Sequence, residues 1–383
     1  MERNRTPMLN LETGLGRRGF LTRLGSSVVL GAGGLAASRH GVFAQEAPGT
    51  PRSAESSPAI THRQIETNGI SMHIAEAGTG PLVVLVHGWP ELWYSWRHQL
   101  PALAAAGYHA VAPDLRGYGQ TDAPEPVESY SLRNLTADII GLVDALDAEQ
   151  AVLVGHDVGA GITWACAELY PQRVAAHVTL GIAYGPRASA PPVQMTREFA
   201  GDAFSFLDYF NTPGVGEAEL EVDPRRSLRL IMYALSGDAP PDLVPYLFTG
   251  KPADAGILDG MPEPEPLPAW LTEADLDVYA EEFARTGFRG SFGMYRNFDQ
   301  DWEDMPEVGA TGVLQPALFI GGRRDSAVIF TGYEAFAAME AAVPNLRKIV
   351  LLPGVGHWTQ QERPDDVNFE LIDFLRLQRD SGL

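Results

Sequence analysis

Three polar residues that lie far apart in the chain have the types and the order needed for hydrolysis through a covalent intermediate. Asp157, Asp325 and His357 each follow an apolar run that predicts a buried strand. The carboxyl ends of parallel strands meet at one edge of a sheet, so we expect the three side chains to converge there. Alone, each is better explained as a turn residue, a helix N-cap or a surface histidine. Their shared placement, in the chain order nucleophile, acid, histidine, favours a catalytic site.

The segment Gly155-His156-Asp157-Val158-Gly159-Ala160 has the spacing of a nucleophile elbow, a strained turn between a strand and a helix. Small residues stand two before Asp157 and two and three after it, where the backbone folds back tightly. A carboxylate at the tip would attack an sp³ carbon and form an alkyl ester on the enzyme. We expect His156 to point away from the site and to have a packing or hydrogen-bonding role.

The remaining catalytic roles follow from what this ester requires. His357 would deprotonate the water that attacks the ester carbonyl. The strand after the elbow is predicted at 178–183, and residues 182–187 at its end contain no carboxylate, so Asp325 is expected to orient His357. The backbone N–H groups of Trp89 and Val158 are predicted to form an oxyanion hole, in which each donor contributes roughly 3–4 kcal/mol.

Alternation of strands and helices predicts an α/β fold with a doubly wound, mostly parallel sheet. Asn68-Gly69 predicts a hairpin turn, and Ser131 is expected to cap the following amphipathic helix. The alternation stops near residue 185 and resumes with the strand at 317–321. We therefore predict an α/β core formed by residues 61–184 and 306–383, with a mainly helical cap inserted at 185–305.

Composition limits the possible functions. The 383 residues are 45% apolar and 20% charged, which is ordinary for a globular enzyme. The formal net charge of -21 argues against binding to nucleic acid or to an anionic membrane surface. Cys166 is the only cysteine, so an intrachain disulfide is impossible and a structural zinc site is disfavoured. We expect neither a metal nor a cofactor, and the oligomeric state stays open.

The N-terminal segment has the features of an export signal. Residues 1–44 contain six arginines and two glutamates, and Arg17-Arg18-Gly19-Phe20-Leu21 resembles the twin-arginine motif. The weakly apolar run that follows is too short and too rich in glycine and serine for a stable membrane anchor. We expect cleavage after Ala44, a linker at 45–60, and export of the folded protein to the periplasm by the twin-arginine machinery.

Several further segments together resemble the epoxide hydrolases of the α/β-hydrolase fold. The resemblance runs from about residue 65 to residue 375, and the segments that carry it are 87–97, 106–119, 268–276, 283–290 and 356–364. It implies an epoxide as substrate, water as co-substrate, and a cis peptide before Pro90. It also implies a cap tyrosine, Tyr295, that holds the epoxide oxygen; without the resemblance, Tyr295 would be interpreted as a packed core residue.

The chain departs from the family at positions around the expected pocket. Phe206 stands where the family has the first of two cap tyrosines, so Tyr295 acts alone or Tyr209 takes the missing role. Met294 belongs to a Gly-Met pair where the family often has Asn-Trp, and Val158 replaces the tryptophan common after the nucleophile. The predicted pocket residues are Trp89, Pro90, Phe206, Tyr209, Met294 and Trp358.

Two other functions fit parts of the pattern. A haloalkane or haloacid dehalogenase uses the same Asp-His-Asp chemistry, but needs halide donors that Val158 does not supply. A non-catalytic binding protein on this scaffold is expected to have lost the nucleophile, base or acid, and all three residues are present.

Overall fold

A computed structural model describes residues 58–380, and an eight-stranded sheet forms its centre. The strands occur in the spatial order β1-β2-β4-β3-β5-β6-β7-β8. Their bounds are β1 Thr61–Thr67, β2 Ile70–Ala77, β3 Leu82–Val86, β4 His109–Pro113, β5 Ala151–His156, β6 Val174–Leu180, β7 Ala317–Gly322 and β8 Leu346–Leu352. Strand β2 pairs antiparallel with β1 and with β4, and the other pairs are parallel. The predicted α/β-hydrolase architecture is confirmed.

Helices cover the sheet and form the inserted region. Their bounds are α1 Gln99–Ala105, α2 Leu132–Ala145, α3 Val158–Leu169, α4 Pro192–Ala200, α5 Phe206–Asn211, α6 Val215–Leu220, α7 Pro224–Ala234, α8 Leu243–Pro245, α9 Glu273–Thr286, α10 Arg289–Phe292, α11 Phe298–Asp304, α12 Ser326–Ala342, α13 Thr359–Glu362 and α14 Pro364–Asp380. Short 3₁₀ turns lie at Trp93–Trp96, Val127–Tyr130 and Tyr295–Asn297, and a π turn lies at Tyr246–Gly250. Helices α4 to α11 fall within 185–305, the range predicted for the cap.

The central strands are apolar because both faces of the sheet are covered. All five residues of β3 are buried. Val84 and Val86 pack into the cluster that contains residues of α2, α3 and the cap helices, whereas Val83 and Leu85 pack into the cluster with α1 and α14. Successive side chains of a strand point to opposite faces, so this division places a layer of helices on each side of the sheet.

Two local predictions were wrong because distant residues decide the outcome. Ser131 makes no side-chain cap to α2; instead, the N–H of Leu132 donates to Oδ2 of Asp301, in α11, at 2.9 Å. Burial raises the pKa of Asp301 to about 6. The strand expected at 178–183 ends at Leu180, because Gly181 adopts a φ of 80° that leaves the extended region.

The predicted signal at 1–44 and nearly all of the linker at 45–60 lie outside the described residues. Among residues 58–380, no helix is long and apolar enough to cross a membrane.

Candidate active site

The elbow holds Asp157 in a backbone conformation that is energetically costly for any residue other than glycine. Asp157 connects β5 to α3 with φ 50° and ψ -125°, a conformation that costs about 1–3 kcal/mol. A Cβ on Gly159 would lie 2.4 Å from the carbonyl oxygens of Val86 and His87, and one on Gly155 would lie 2.5 Å from the Gly159 oxygen. Side chains at these two positions would therefore push the strand, the turn and the loop apart.

The structure brings the three residues predicted from the strand ends into one group. Nδ1 of His357 lies 2.9 Å from Oδ1 of Asp325, and Nε2 lies 3.8 Å from Oδ1 of Asp157. Asp325 Oδ1 also accepts the N–H of Ala327 at 2.9 Å, which fixes the carboxylate at the start of α12. The histidine is therefore held by one carboxylate while its other nitrogen faces the second.

The loop after β3 supplies a hydrogen-bond donor to Asp157. The backbone N–H of Trp89 donates to Oδ2 of Asp157 at 3.0 Å. A Cβ on Gly88 would lie 2.5 Å from that of Asp157, so only glycine permits this approach. Val158 is the first residue of α3, where backbone N–H groups have no acceptor within the helix. The peptide between Trp89 and Pro90 is cis, as the resemblance implied.

A buried carboxylate that the sequence reasoning did not single out lies behind this loop. Glu91 is fully buried, and its Oε2 accepts the N–H of Gly88 at 3.0 Å and lies 2.7 Å from Nδ1 of His156. Burial works against ionisation of Glu91, but the charge and hydrogen bond of His156 and the N–H of Gly88 lower its pKa overall. The sequence signal was an acidic residue inside an otherwise apolar run.

Glu91 and His156 join three segments of the candidate site. Nε2 of His156 lies 2.8 Å from the backbone oxygen of His357, and the side-chain amides of Gln360 and Gln361 donate to Oε1 of Glu91. The loop after β3, the end of β5 and the loop that carries His357 are therefore hydrogen-bonded to one another beneath the site. The predicted hydrogen-bonding role of His156 is confirmed.

The charges around His357 determine its protonation. Burial lowers the pKa of the imidazole, but the nearby carboxylates of Asp325, Asp157 and Glu91 outweigh it and raise the pKa to about 9. The free protein therefore carries His357 as a cation at neutral pH. Loss of the negative charge on Asp157 would remove one of the causes that raise this pKa.

Tyr295 lies on the cap side of the group. Its ring is buried among Phe210 and Phe298, with centroid distances of 4.9 and 5.2 Å. Burial and then the negative charge of Asp157 raise the pKa of the phenol well above its usual range, so it stays protonated. Within residues 58–380 its hydroxyl makes no hydrogen bond, which leaves the proton available to a ligand.

The other two aromatic positions predicted for the cap do not present a free donor. Phe206 is half-buried, and its ring packs edge-on against Phe210 and Phe248. The hydroxyl of Tyr209 donates to Glu219, whose carboxylate also accepts the N–H groups of residues 257 and 258. Tyr209 therefore uses its proton to hold the cap together.

The remaining predicted pocket residues surround the catalytic group in different ways. Trp358 packs edge-on against His357 at a centroid distance of 4.8 Å, and its indole N–H donates to the Met232 oxygen at 2.6 Å. The indole N–H of Trp89 donates to Oγ of Ser291 at 3.3 Å. Met294 is buried in the same apolar cluster as Trp89.

Comparison with known proteins places this arrangement in a family. A family model described as the alpha/beta hydrolase fold matches residues 81–364. Epoxide hydrolase A of Mycobacterium tuberculosis is 44% identical over 319 residues, which span 83% of this chain and 98% of that protein. The chain belongs to the epoxide hydrolase family. Epoxide hydrolase 3 of Siraitia grosvenorii is 40% identical, over 82% of this chain and 98% of its own length.

Solved epoxide hydrolases have the same fold. The crystal structure of epoxide hydrolase A from Mycobacterium thermoresistibile matches with a TM-score of 0.78 and 46% identity, covering 83% of this chain and 98% of that one. An epoxide hydrolase from an endophytic Streptomyces matches with a TM-score of 0.81 and 44% identity, covering 85% and 97%. As a member of the epoxide hydrolase family, this chain is a hydrolase.

Proposed function

We propose that this hydrolase opens an epoxide to a vicinal diol through an alkyl ester on Asp157. The observation that carries the proposal is the position of Asp157 at a strained elbow, with His357 Nε2 3.8 Å from one carboxylate oxygen and the Trp89 N–H 3.0 Å from the other. The two carboxylate oxygens therefore have different environments and are suited to different roles.

In the first step, Oδ1 of Asp157 attacks an epoxide carbon. A bond forms between Oδ1 and that carbon while the carbon–oxygen bond of the ring breaks, and the ring oxygen takes the proton of Tyr295. Oδ2 becomes the carbonyl oxygen of the ester, because it already accepts the Trp89 N–H. The phenol of Tyr295 is protonated and unbonded, so it can supply the proton at the moment the alkoxide forms.

In the second step, His357 activates water. Esterification removes the charge of Asp157, so the pKa of His357 falls. The proton that Nε2 releases restores the phenol of Tyr295, which gave up its own proton in the first step. Neutral Nε2 then takes a proton from a water that attacks the ester carbonyl carbon, and the N–H groups of Trp89 and Val158 hold the developing charge on Oδ2. The bond from that carbon to Oδ1 breaks. The diol leaves with Oδ1, which takes the second proton of the attacking water, and the water oxygen stays in the carboxylate while His357 is left protonated as at the start.

The cap side favours an apolar epoxide. The rings of Trp89, Phe210, Phe292 and Tyr295 form a continuous cluster with centroid distances from 4.7 to 6.0 Å. Apart from the Tyr295 hydroxyl, this cluster offers aromatic surface to a bound molecule. We therefore propose an organic epoxide with an aryl or alkyl substituent as the substrate class.

The dehalogenase alternative is disfavoured because the indole N–H groups near the site already donate to protein acceptors. A halide leaving group needs N–H donors directed into the site, and position 158 after the nucleophile holds valine. The indole N–H groups of Trp89 and Trp358 donate to Ser291 and to Met232. Both are thus engaged with protein acceptors, whereas the hydroxyl of Tyr295 is unbonded.

A paired assay tests the proposed activity. The purified protein and Asp157→Asn are incubated with a panel of aryl and alkyl epoxides and with matched haloalkanes, and diol and halide are measured. We expect diol from the epoxides, no halide, and at least about a 10⁴-fold loss in the variant. Halide release without diol formation would establish the dehalogenase instead.

We also propose that the protein is exported to the periplasm by the twin-arginine machinery. The support is the motif at residues 17–21, the small-residue site ending at Ala44, and the presence of a single cysteine, Cys166, which needs no oxidative pairing. Replacing Arg17 and Arg18 with lysine should leave the uncleaved protein in the cytoplasm. Equal periplasmic amounts of both forms would contradict the proposal.

A further inference from the structure

Two histidines meet on one face of the β1–β2 hairpin, outside the catalytic group. The strand register pairs His62 with Ala75 and Gln64 with His73, so His62 and His73 are diagonal neighbours on the same face. Nδ1 of His62 lies 3.2 Å from Nε2 of His73, and the rings are within 6° of parallel. When both imidazoles are neutral, one of these two nitrogens carries a proton and donates it to the other in a hydrogen bond.

A buried carboxylate orients the inner histidine. His73 is buried, and its Nδ1 lies 2.8 Å from Oδ2 of Asp114, which is also buried. Asp114 is fixed in turn, because it accepts the backbone N–H groups of Trp93 and Gln120 at 2.9 and 3.1 Å. With its Nδ1 proton donated to Asp114, His73 presents the lone pair of Nε2 towards His62. In protein metal sites, a histidine that binds the ion through one ring nitrogen commonly donates the N–H of its other ring nitrogen to a carboxylate.

A cavity of about 430 Å³ borders the pair and gives access to it. Its lining includes His62, Arg63, His73, Gln64 and Trp93 from the core and Glu282 from α9. The guanidinium of Arg63 is held by Glu76, with Nε 2.6 Å from Oε1. His62 is exposed, so its ring can adjust to a ligand. The carboxylate of Glu282 lies on the opposite wall, where it pairs with Arg285. The cavity therefore combines two nitrogen donors with a carboxylate and with room for water.

We propose that His62 and His73 bind a divalent transition-metal ion that prefers imidazole, namely Zn²⁺, Cu²⁺ or Ni²⁺. Two nitrogens that each lie about 2.0–2.1 Å from one ion at a near-tetrahedral angle are roughly 3.3 Å apart, close to the 3.2 Å between His62 Nδ1 and His73 Nε2. The ion takes the place of the shared proton. Among residues 58–380, no group of three or more histidine, cysteine or acidic side chains is arranged for a metal, so water completes the coordination.

The proposed site has a structural role. The ion joins β1, at the edge of the sheet, to β2, and it lies across the cavity from α9 of the cap region. None of the residues that line the cavity belongs to the catalytic group around Asp157. We therefore expect bound metal to raise the melting temperature without changing epoxide turnover.

The test uses the untagged full chain after removal of metal by a chelator. Cu²⁺ is added and followed by electron paramagnetic resonance, and Zn²⁺ affinity is measured by calorimetry. We expect one ion per chain coupled to two imidazole nitrogens, and at least tenfold weaker binding in His62→Gln. The matched control is His98→Gln, which removes an exposed histidine outside the pair and should bind as the unaltered chain does.

His62 is exposed, so His62→Gln should fold and keep its turnover, which shows that weaker binding is not a result of unfolding. Glu282→Gln should weaken binding by a few-fold, because it removes charge from the opposite wall. Equal affinity of the unaltered chain and His62→Gln, or no saturable binding by the unaltered chain, would overturn the proposal.

Discussion

The core side and the cap side of the active site are built in different ways. On the core side, strand ends and buried hydrogen bonds hold Asp157, His357 and Asp325 in place. On the cap side, aromatic rings surround one unbonded hydroxyl, that of Tyr295, while Phe206 has no hydroxyl. In the proposed mechanism, the core side carries out ester formation and hydrolysis. The cap side holds the ring oxygen and selects which epoxides fit.

Among the variants that distinguish the core side from the cap side, His357→Gln is expected to have the largest effect on rate. Glutamine cannot act as the base, so ester hydrolysis should slow by about 10²- to 10⁴-fold, whereas ring opening, which depends on Asp157 and the cap, continues. The covalent ester should then accumulate and be seen as an added substrate mass on the intact protein. Steady turnover within a few-fold of the unaltered enzyme, with no adduct, would show that His357 is not the base.

Tyr295→Phe should affect the opposite step. Removing the unbonded phenol of Tyr295 should slow ester formation by about 10²- to 10³-fold, a loss comparable to that of an oxyanion donor. Rapid mixing with excess enzyme measures this step directly. Tyr209→Phe is the matched control: its hydroxyl donates to Glu219, so its rate of ester formation should change by no more than a few-fold. A larger loss in Tyr209→Phe than in Tyr295→Phe would reverse the assignment of the acid.

The smallest effect is expected from Phe206→Tyr. The change restores a phenol at the position that resembles the family's first cap tyrosine, in a half-buried site beside Phe210 and Phe248. We expect the rate of ester formation to change by up to about tenfold, with a shift in which epoxide carbon is attacked. The rate of ester hydrolysis should stay the same. A change confined to hydrolysis would place residue 206 on the core side of the comparison.

The core was more accessible to sequence reasoning than the cap. The strand at 317–321 (β7) and the hairpin turn were predicted within one residue of their observed positions, because apolar runs and turn residues are local signals. The candidate catalytic residues followed, since parallel strands bring their carboxyl ends together. Glu91 was missed because its partners, His156 and the glutamines of α13, are distant in sequence.

Local signals also failed where a distant residue supplied the hydrogen bond. The N-terminus of α2 is bonded by Asp301 rather than by the adjacent Ser131. The Tyr209 hydroxyl, which was considered as a second acid, is bonded to Glu219 within the cap. No local pattern of residue types identifies such partners, because a buried polar group bonds to a partner that the fold brings near, often from a distant part of the chain.

A single turnover in heavy-oxygen water tests the central claim most directly. Enzyme in excess over an epoxide is quenched after one turnover, and the label is located in the diol and in the peptide that contains Asp157. The proposed ester predicts an unlabelled first diol and one heavy oxygen in the Asp157 carboxylate. Label that appears in the first diol and is absent from Asp157 would mean that water attacks the epoxide directly.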